Sequence, residues 1–341
     1  CDGDRVVIWG DSITDDAFYP RSIENYVLSH YPDWTVEFHN LGWGGDSTFT
    51  LERMKRDLVP CNPTLVTIKL GMNDGSYNKF SQEVYDRYIN QYRKLLDFLR
   101  ANTSARIVLI STVTYETDVV PTRDFGDEKG RDMSTYPETL RRMSAGVRDL
   151  ANEYQAGYID LNDLYEKTLK EGKANNPKFV LSGDAIHPNV NGQAYMAYYI
   201  LKGLHASGAI SEIAIDAKNG EIVSEQGSYI QNLGVKENQI SFTRQDRSLP
   251  FHFSGEASWE ESVTQKETWY NDLNRDWLVV KNLQQPYALL SIDGEAIAVF
   301  SREQWEQGIN LSLLPKSAML KQGALIAEMT EKRHAAEYTR W

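Results

Sequence analysis

A serine, an aspartate and a histidine at positions 12, 184 and 187 of this 341-residue chain are of the types that together perform acyl transfer. Ser12 lies in RVVIWGDSITDD (5–16), where Val6, Val7, Ile8 and Trp9 read as a short buried strand that stops at Gly10. Open α/β sheets bind ligands beyond the carboxyl ends of their strands, which makes Ser12 a candidate nucleophile. Asp184 and His187 stand three residues apart in GDAIHPNVNGQAY. Only a tight turn brings such a pair together, and Pro188, Asn189 and Gly192 are turn formers beside it. An imidazole placed there can take the proton of a serine while the carboxylate holds its tautomer. Taken singly, each residue has a plainer reading. Gly, Asp and Ser are common turn and capping residues, Asp11 reads as support for the turn, and a lone histidine is more often structural.

Two further blocks change the balance. NLGWGGDS brings Gly45 after a second strand, and KLGMND brings Asn73 after a third. These four blocks, in this order, resemble the SGNH (GDSL-type) esterase and acylhydrolase family over about residues 5–205. The resemblance implies a flavodoxin-like doubly wound α/β fold. It assigns Ser12, Asp184 and His187 to catalysis and the N–H groups of Ser12 and Gly45, with the Asn73 amide, to the oxyanion hole, without metal or organic cofactor. Gly45 suits that task because backbone must approach the substrate closely; its plain reading is a glycine-rich turn, and that of Asn73 a helix cap shared with Asp74. The first block reads GDSIT where many members have GDSL, a conservative change. GxSxG is absent around Ser12, which excludes the α/β-hydrolase elbow. A dehalogenase-type phosphatase needs DxDxT where this chain has DSITD. A carbohydrate-binding protein with an idle triad is the alternative from another class.

The elements that must position these residues alternate apolar strands with amphipathic helices over 5–205, the pattern of a parallel sheet in the order 2-1-3-4-5. Strands are expected at 35–40, 64–70, 106–112 and 157–161, and helices at 22–29, 49–58, 81–102, 139–154 and 191–205, the last capped by Asn189 and Asn191. In 81–102, Tyr85, Tyr88, Ile89, Tyr92, Leu95, Leu96 and Leu99 recur at helical spacing and read as core. The polar connection 113–136 is either a functional loop or merely a mobile one. Domain bounds follow as 1–208 for the catalytic domain, 209–300 for a β-rich accessory region contributing no catalytic residue, and 301–341 for a helical tail packing back on the main domain. Asp293-Gly294 between alternating runs signals a hairpin.

A net charge of −12 argues against nucleic acid or an anionic membrane surface as partner. Mean hydropathy of −0.50, without an apolar run near membrane length, excludes a spanning helix. The expected substrate is a small-molecule or oligosaccharide ester. Trp43, Tyr77 and Tyr115 stand beside the motifs and could offer rings for sugar stacking, so removal of short acyl groups, acetyl above all, from carbohydrate is favoured over lipid. A lipase, aryl-esterase or thioesterase of the same family is the nearer alternative. A secreted or periplasmic bacterial protein is expected, and Cys1 leaves room for a lipid anchor. Cys1 and Cys61 should both emerge at the amino-terminal edge of the sheet. They are either two unpaired thiols or a bridge closing about sixty residues, contributing about 4 kcal/mol.

Overall fold

The computed structural model describes residues 1–119, 133–236, 239–254 and 266–338. Most of the polar connection 113–136 lies outside them. The described residues form two compact units, residues 1–20 with 34–204, and residues 21–33 with 205–341.

The first unit is built on a five-stranded parallel sheet in the order β2-β1-β3-β4-β5. The strands are β1 Arg5–Gly10, β2 Glu37–Gly42, β3 Leu65–Lys69, β4 Arg106–Ile110 and β5 Gly157–Ile159. Register sets Gly10 opposite Gly42 and Lys69, so β1, β2 and β3 end level. The loops that follow them therefore start side by side, and these loops carry Ser12, Gly45 and Asn73.

Apolar content explains the strands. Val6, Val7, Ile8 and Trp9 are all buried, as expected of a parallel strand covered on both faces. Helix α1 Ser12–Asp15 follows β1, and α2 Phe18–His30 follows α1. Next come α3 Leu51–Arg53, which runs on through a π turn and a 3₁₀ turn to Cys61, and α4 Gln82–Asn102. α4 is capped by Ser81 and buries Tyr88, Tyr92, Leu95, Leu96 and Leu99, as the periodicity predicts. α5 Tyr136–Glu153 adds Met143, Val147, Leu150 and Ala151 to the same core as Val7, Trp9, Val66 and Ile68.

α6 Leu161–Asn175 is absent from the sequence reading, which carries the fifth strand to Leu161. Asp160 ends that strand by accepting the Asp163 N–H and capping α6. α7 Val190–Gly203 is capped by Asn189 alone; Asn191 lies within the helix. Both cysteines are free. The Cys61 thiol donates to the Asp57 carbonyl at 3.3 Å while Cys1 Sγ accepts from Arg106, so the bridge is not formed.

In the second unit, β6 Ala209–Asp216 pairs parallel with β10 Arg275–Lys281 and antiparallel with β7 Glu221–Gln226, and β13 Ile309–Asn310 completes that sheet. Two hairpins, β8 Ser228–Lys236 with β9 Gln239–Asp246 and β11 Tyr287–Ile292 with β12 Glu295–Ser301, stand beside it in sequence. The second hairpin turns at Asp293 and Gly294, with φ of 52° and 80°, as Asp-Gly predicts. Helices α8 Lys266–Leu273, α9 Arg302–Gln307 and α10 Ala318–Tyr338 complete the unit. α10 joins residues 21–33 through Arg333, which pairs with Glu24 at 2.6 Å, and through a Thr330–Asn25 hydrogen bond.

Candidate active site

The turn after β1 presents Ser12. Asp11 accepts the Ile13 N–H on its side chain at 3.1 Å and the N–H groups of Thr14 and Asp15 on its carbonyl, which caps α1 and sets Ser12 as its first residue. Gln193 of α7 braces this turn by donating to the Ile13 carbonyl at 3.1 Å. A Cβ at Gly10 would overlap Thr14, so only glycine lets α1 start there.

Residues 181–189 form the opposing wall. Ser182 and Pro188 make an antiparallel bridge, and the Asn189 N–H donates to the Leu181 carbonyl at 2.7 Å. Inside this small hairpin, Asp184 Oδ1 accepts the N–H groups of Ile186 at 3.0 Å and His187 at 2.7 Å. Its other oxygen lies 2.7 Å from His187 Nδ1. Burial pushes the Asp184 carboxyl up, but the His187 ring and the two backbone N–H groups outweigh that and hold it below its ordinary value. A carboxylate there places the imidazole proton on Nδ1 and leaves Nε2 as acceptor. Nε2 lies 2.8 Å from Ser12 Oγ. The sequence places these groups 175 and 3 residues apart; the structure joins them in one relay.

Glu116, which the sequence reading does not single out, anchors the hairpin. Its buried carboxylate accepts the Leu181 N–H at 2.9 Å, and its own N–H donates to the Ala185 carbonyl at 3.0 Å. Burial pushes that carboxyl up. Ala185 holds a φ of 71°, a strained conformation for a residue with a Cβ, at the tip between Asp184 and His187.

The loop after β2 carries Gly45. The Trp43 N–H donates to the Gly10 carbonyl at 3.1 Å, and Asn40 Nδ2 donates to the Thr14 carbonyl at 2.9 Å, tying this loop to the Ser12 turn. Gly45 has a φ of +81°, and a Cβ there would meet nothing within 4 Å. Its backbone conformation favours glycine whatever the space around it. Asn73 Nδ2 donates to the Asp46 carbonyl at 2.7 Å, and Asn73 Oδ1 accepts from Tyr77 at 2.6 Å. The amide is held from both ends beside Gly45 with one N–H hydrogen left over, and Asn73 caps no helix. Asp74 accepts both the N–H and the hydroxyl of Thr48, at 2.8 and 2.6 Å. Burial pushes its carboxyl up to about 6 against those two bonds.

The three candidate rings fall in different places. Trp43 is 53 % exposed, whereas Tyr77 and Tyr115 are 8 % and 4 % exposed. Both tyrosines pack on Tyr136, with ring centres 5.2 and 5.8 Å away. These two rings are thus buried rather than open to a sugar. Tyr77 instead orients Asn73. Among the described residues no cluster of His, Cys, Asp or Glu is arranged to hold a metal ion. No helix among them is long and apolar enough to cross a membrane.

Residues 8–195 match the GDSL-like Lipase/Acylhydrolase family. The chain belongs to that family. It is an esterase by that membership. It is similar to the solved structure of BT4096, a gut microbial diltiazem-metabolizing enzyme. That structure is 26% identical and superposes with a TM-score of 0.85 over 98% of this chain and 78% of its own. A putative GDSL-like lipase from Parabacteroides merdae, 19% identical, matches with a TM-score of 0.50 over 60% of this chain and 96% of its own. An acetylxylan esterase from Geobacillus stearothermophilus, 21% identical, gives 0.48 over 60% of this chain and 94% of its own. No curated protein matches the chain in sequence. The GDSL-like fold accounts for the level strand ends that gather Ser12, Gly45 and Asn73 on adjacent loops.

Proposed function

We propose that this protein is a serine-dependent carboxylic ester hydrolase that removes short acyl groups, acetyl above all, from carbohydrate. The observation that carries the reading is the hydrogen-bonded chain Ser12 Oγ, His187 and Asp184, at 2.8 and 2.7 Å. In this mechanism His187 Nε2 takes the Ser12 proton as Oγ attacks the ester carbonyl, and Asp184 stabilises the imidazolium that forms. The N–H groups of Ser12 and Gly45 and the free amide hydrogen of Asn73 receive the oxyanion. His187 then protonates the leaving alkoxide, and water attacks the acyl-serine by the same route in reverse.

Trp43, the one exposed ring of the three, supports a sugar as the alcohol part, because aromatic faces stack on sugar rings. The likeness to BT4096 over nearly the whole chain favours a second reading, a small drug-like ester. A panel of p-nitrophenyl esters from acetyl to octanoyl and beyond, acetylated xylo-oligosaccharides and diltiazem decides between them. We expect acetyl esters to be hydrolysed best and Ser12→Ala to abolish turnover. A preference for octanoyl or longer chains refutes the short-acyl reading, and full activity of Ser12→Ala refutes the mechanism. Trp43→Ala is expected to raise KM for the acetylated oligosaccharide and leave p-nitrophenyl acetate unaffected.

A further inference from the structure

Lys69 takes no part in the mechanism above, yet it is fully buried at the end of β3. Its Nζ donates to Asp11 Oδ1 at 3.0 Å and lies 3.4 Å from Oδ2, and that carboxylate is equally buried. Burying an ammonium and a carboxylate is often no better than burying an apolar pair of the same volume. Capping α1 does not call for the charge either, since a neutral Asn or Ser caps as well.

The surroundings supply a reason. The charge of Asp11 is felt by Asp16, Asp46 and Asp74, and Asp16 in turn feels the charges of His187, Asp15 and Asp184. Arg53, whose charge acts on Asp15 and Asp46, is paired with Asp46 and Asp57. Hydrolysis adds one more negative charge, the oxyanion, at the Ser12 N–H, one residue from Asp11. In a site of low dielectric an uncancelled carboxylate that close opposes the transition state.

We propose that Lys69 is a positioning residue of the esterase site: its buried pair with Asp11 fixes the turn carrying Ser12 and cancels the charge that Asp11 would set against the oxyanion. This assignment rests on Ser12 being the nucleophile of the proposed function. The two singly charged states have opposite electrostatic consequences. Without Lys69, Asp11 favours the protonated imidazole of His187; without the Asp11 charge, Lys69 disfavours it.

The test is the pH profile of kcat/KM on p-nitrophenyl acetate for Lys69→Met, Asp11→Asn and the double variant, each checked for folding by circular dichroism. Lys69→Met is expected to lose about 10²-fold in kcat with KM little changed, and its acid limb to move up by about half a pH unit or more. Asp11→Asn moves the acid limb down. The double variant returns it towards the wild-type position with kcat within about tenfold of wild type. A purely structural pair would move the melting temperature and leave the acid limb in place. Folded single variants with unmoved limbs overturn the proposal, as does a folded double variant no faster than Lys69→Met. Should Lys69→Met fail to fold, Asp11→Asn and the double variant decide alone, and an unmoved limb in Asp11→Asn overturns it. Ser12→Ala is the control that separates the two readings: activity surviving there removes the nucleophile assignment itself.

Discussion

Asn73 is held at Nδ2 by the Asp46 carbonyl and at Oδ1 by the Tyr77 hydroxyl, so its free hydrogen points in a direction the protein has already fixed. A donor preorganised in this way contributes to the transition state without reorganisation. Asn73→Ala is therefore expected to lower kcat by about 10²- to 10³-fold with KM little changed, measured on p-nitrophenyl acetate. Asp74, its neighbour, behaves differently. Its carboxyl is pushed from 3.8 up to about 6, so the fold favours its protonated form. The stability it contributes is fully present below pH 3.8 and is lost as pH rises through 6. Asp74→Asn should flatten the fall of melting temperature between these limits, and a variant whose profile parallels that of the wild type would contradict this. Ser12, Gly45 and Asn73 are legible as candidates because each sits in a short block of turn residues after a strand, and Asp184 and His187 because they share one turn-rich block before α7. Whether Tyr77 and Tyr115 lie open or in the core is not legible locally, since it depends on Tyr136, some sixty and twenty residues further on. Lys69 was available as a signal, a charge inside the apolar run LVTIK.

At the scale of elements, the site depends on β2 and α1 approaching closely. A Cβ at Gly42 would overlap the backbone of Thr14 and Asp15, and backbone cannot swing aside as a side-chain tip can. Gly42→Ala must therefore push apart the loops carrying Gly45 and Ser12. A displacement on the order of 1 Å costs about 10²-fold in rate. We expect kcat to fall by that order in whatever fraction remains folded, whereas a folded variant with wild-type kcat would show that the loops move independently. Strong local signals made the long elements legible: the periodicity of α4, the Asn189 cap of α7 and the Asp-Gly turn between β11 and β12. α6 escapes notice because β5 is only three residues long and passes straight into it, so its first apolar residue, Leu161, reads as strand. The parallel pairing of β6 with β10 joins residues some sixty positions apart, which no local pattern encodes.

At the scale of the whole molecule, the second unit takes residues 21–33 along with 205–341, so a single cut cannot separate the two units. Within that unit, burial pushes the Glu24 carboxyl from 4.5 up to about 7, against the attraction of Arg333. The stability Glu24 contributes is fully present below pH 4.5 and lost as pH rises through 7. Glu24→Gln should thus lose less melting temperature than the wild type between pH 5 and 8, while equal losses would place the burden on other groups. The same segment decides what truncation does. Asn25 donates to the His252 carbonyl at 2.9 Å, Tyr26 to the Ser207 carbonyl at 2.7 Å, and the Leu249 N–H donates to the Ser29 carbonyl at 2.9 Å. His30 meets Phe251 edge-on and approaches Asn274, and burial pushes its imidazole down to about 4. Ending the chain at residue 204 removes every one of these partners and uncovers Ile23 and Tyr26, both buried in the full chain. Buried polar groups left without partners cost about 1–3 kcal/mol each, and a newly exposed apolar stripe promotes association. The fragment 1–204 is therefore expected to aggregate or to elute as multimers in size-exclusion chromatography, although it contains Ser12, Asp184 and His187. A monomeric fragment with the melting temperature of the full chain would show that residues 21–33 fold without the C-terminal residues.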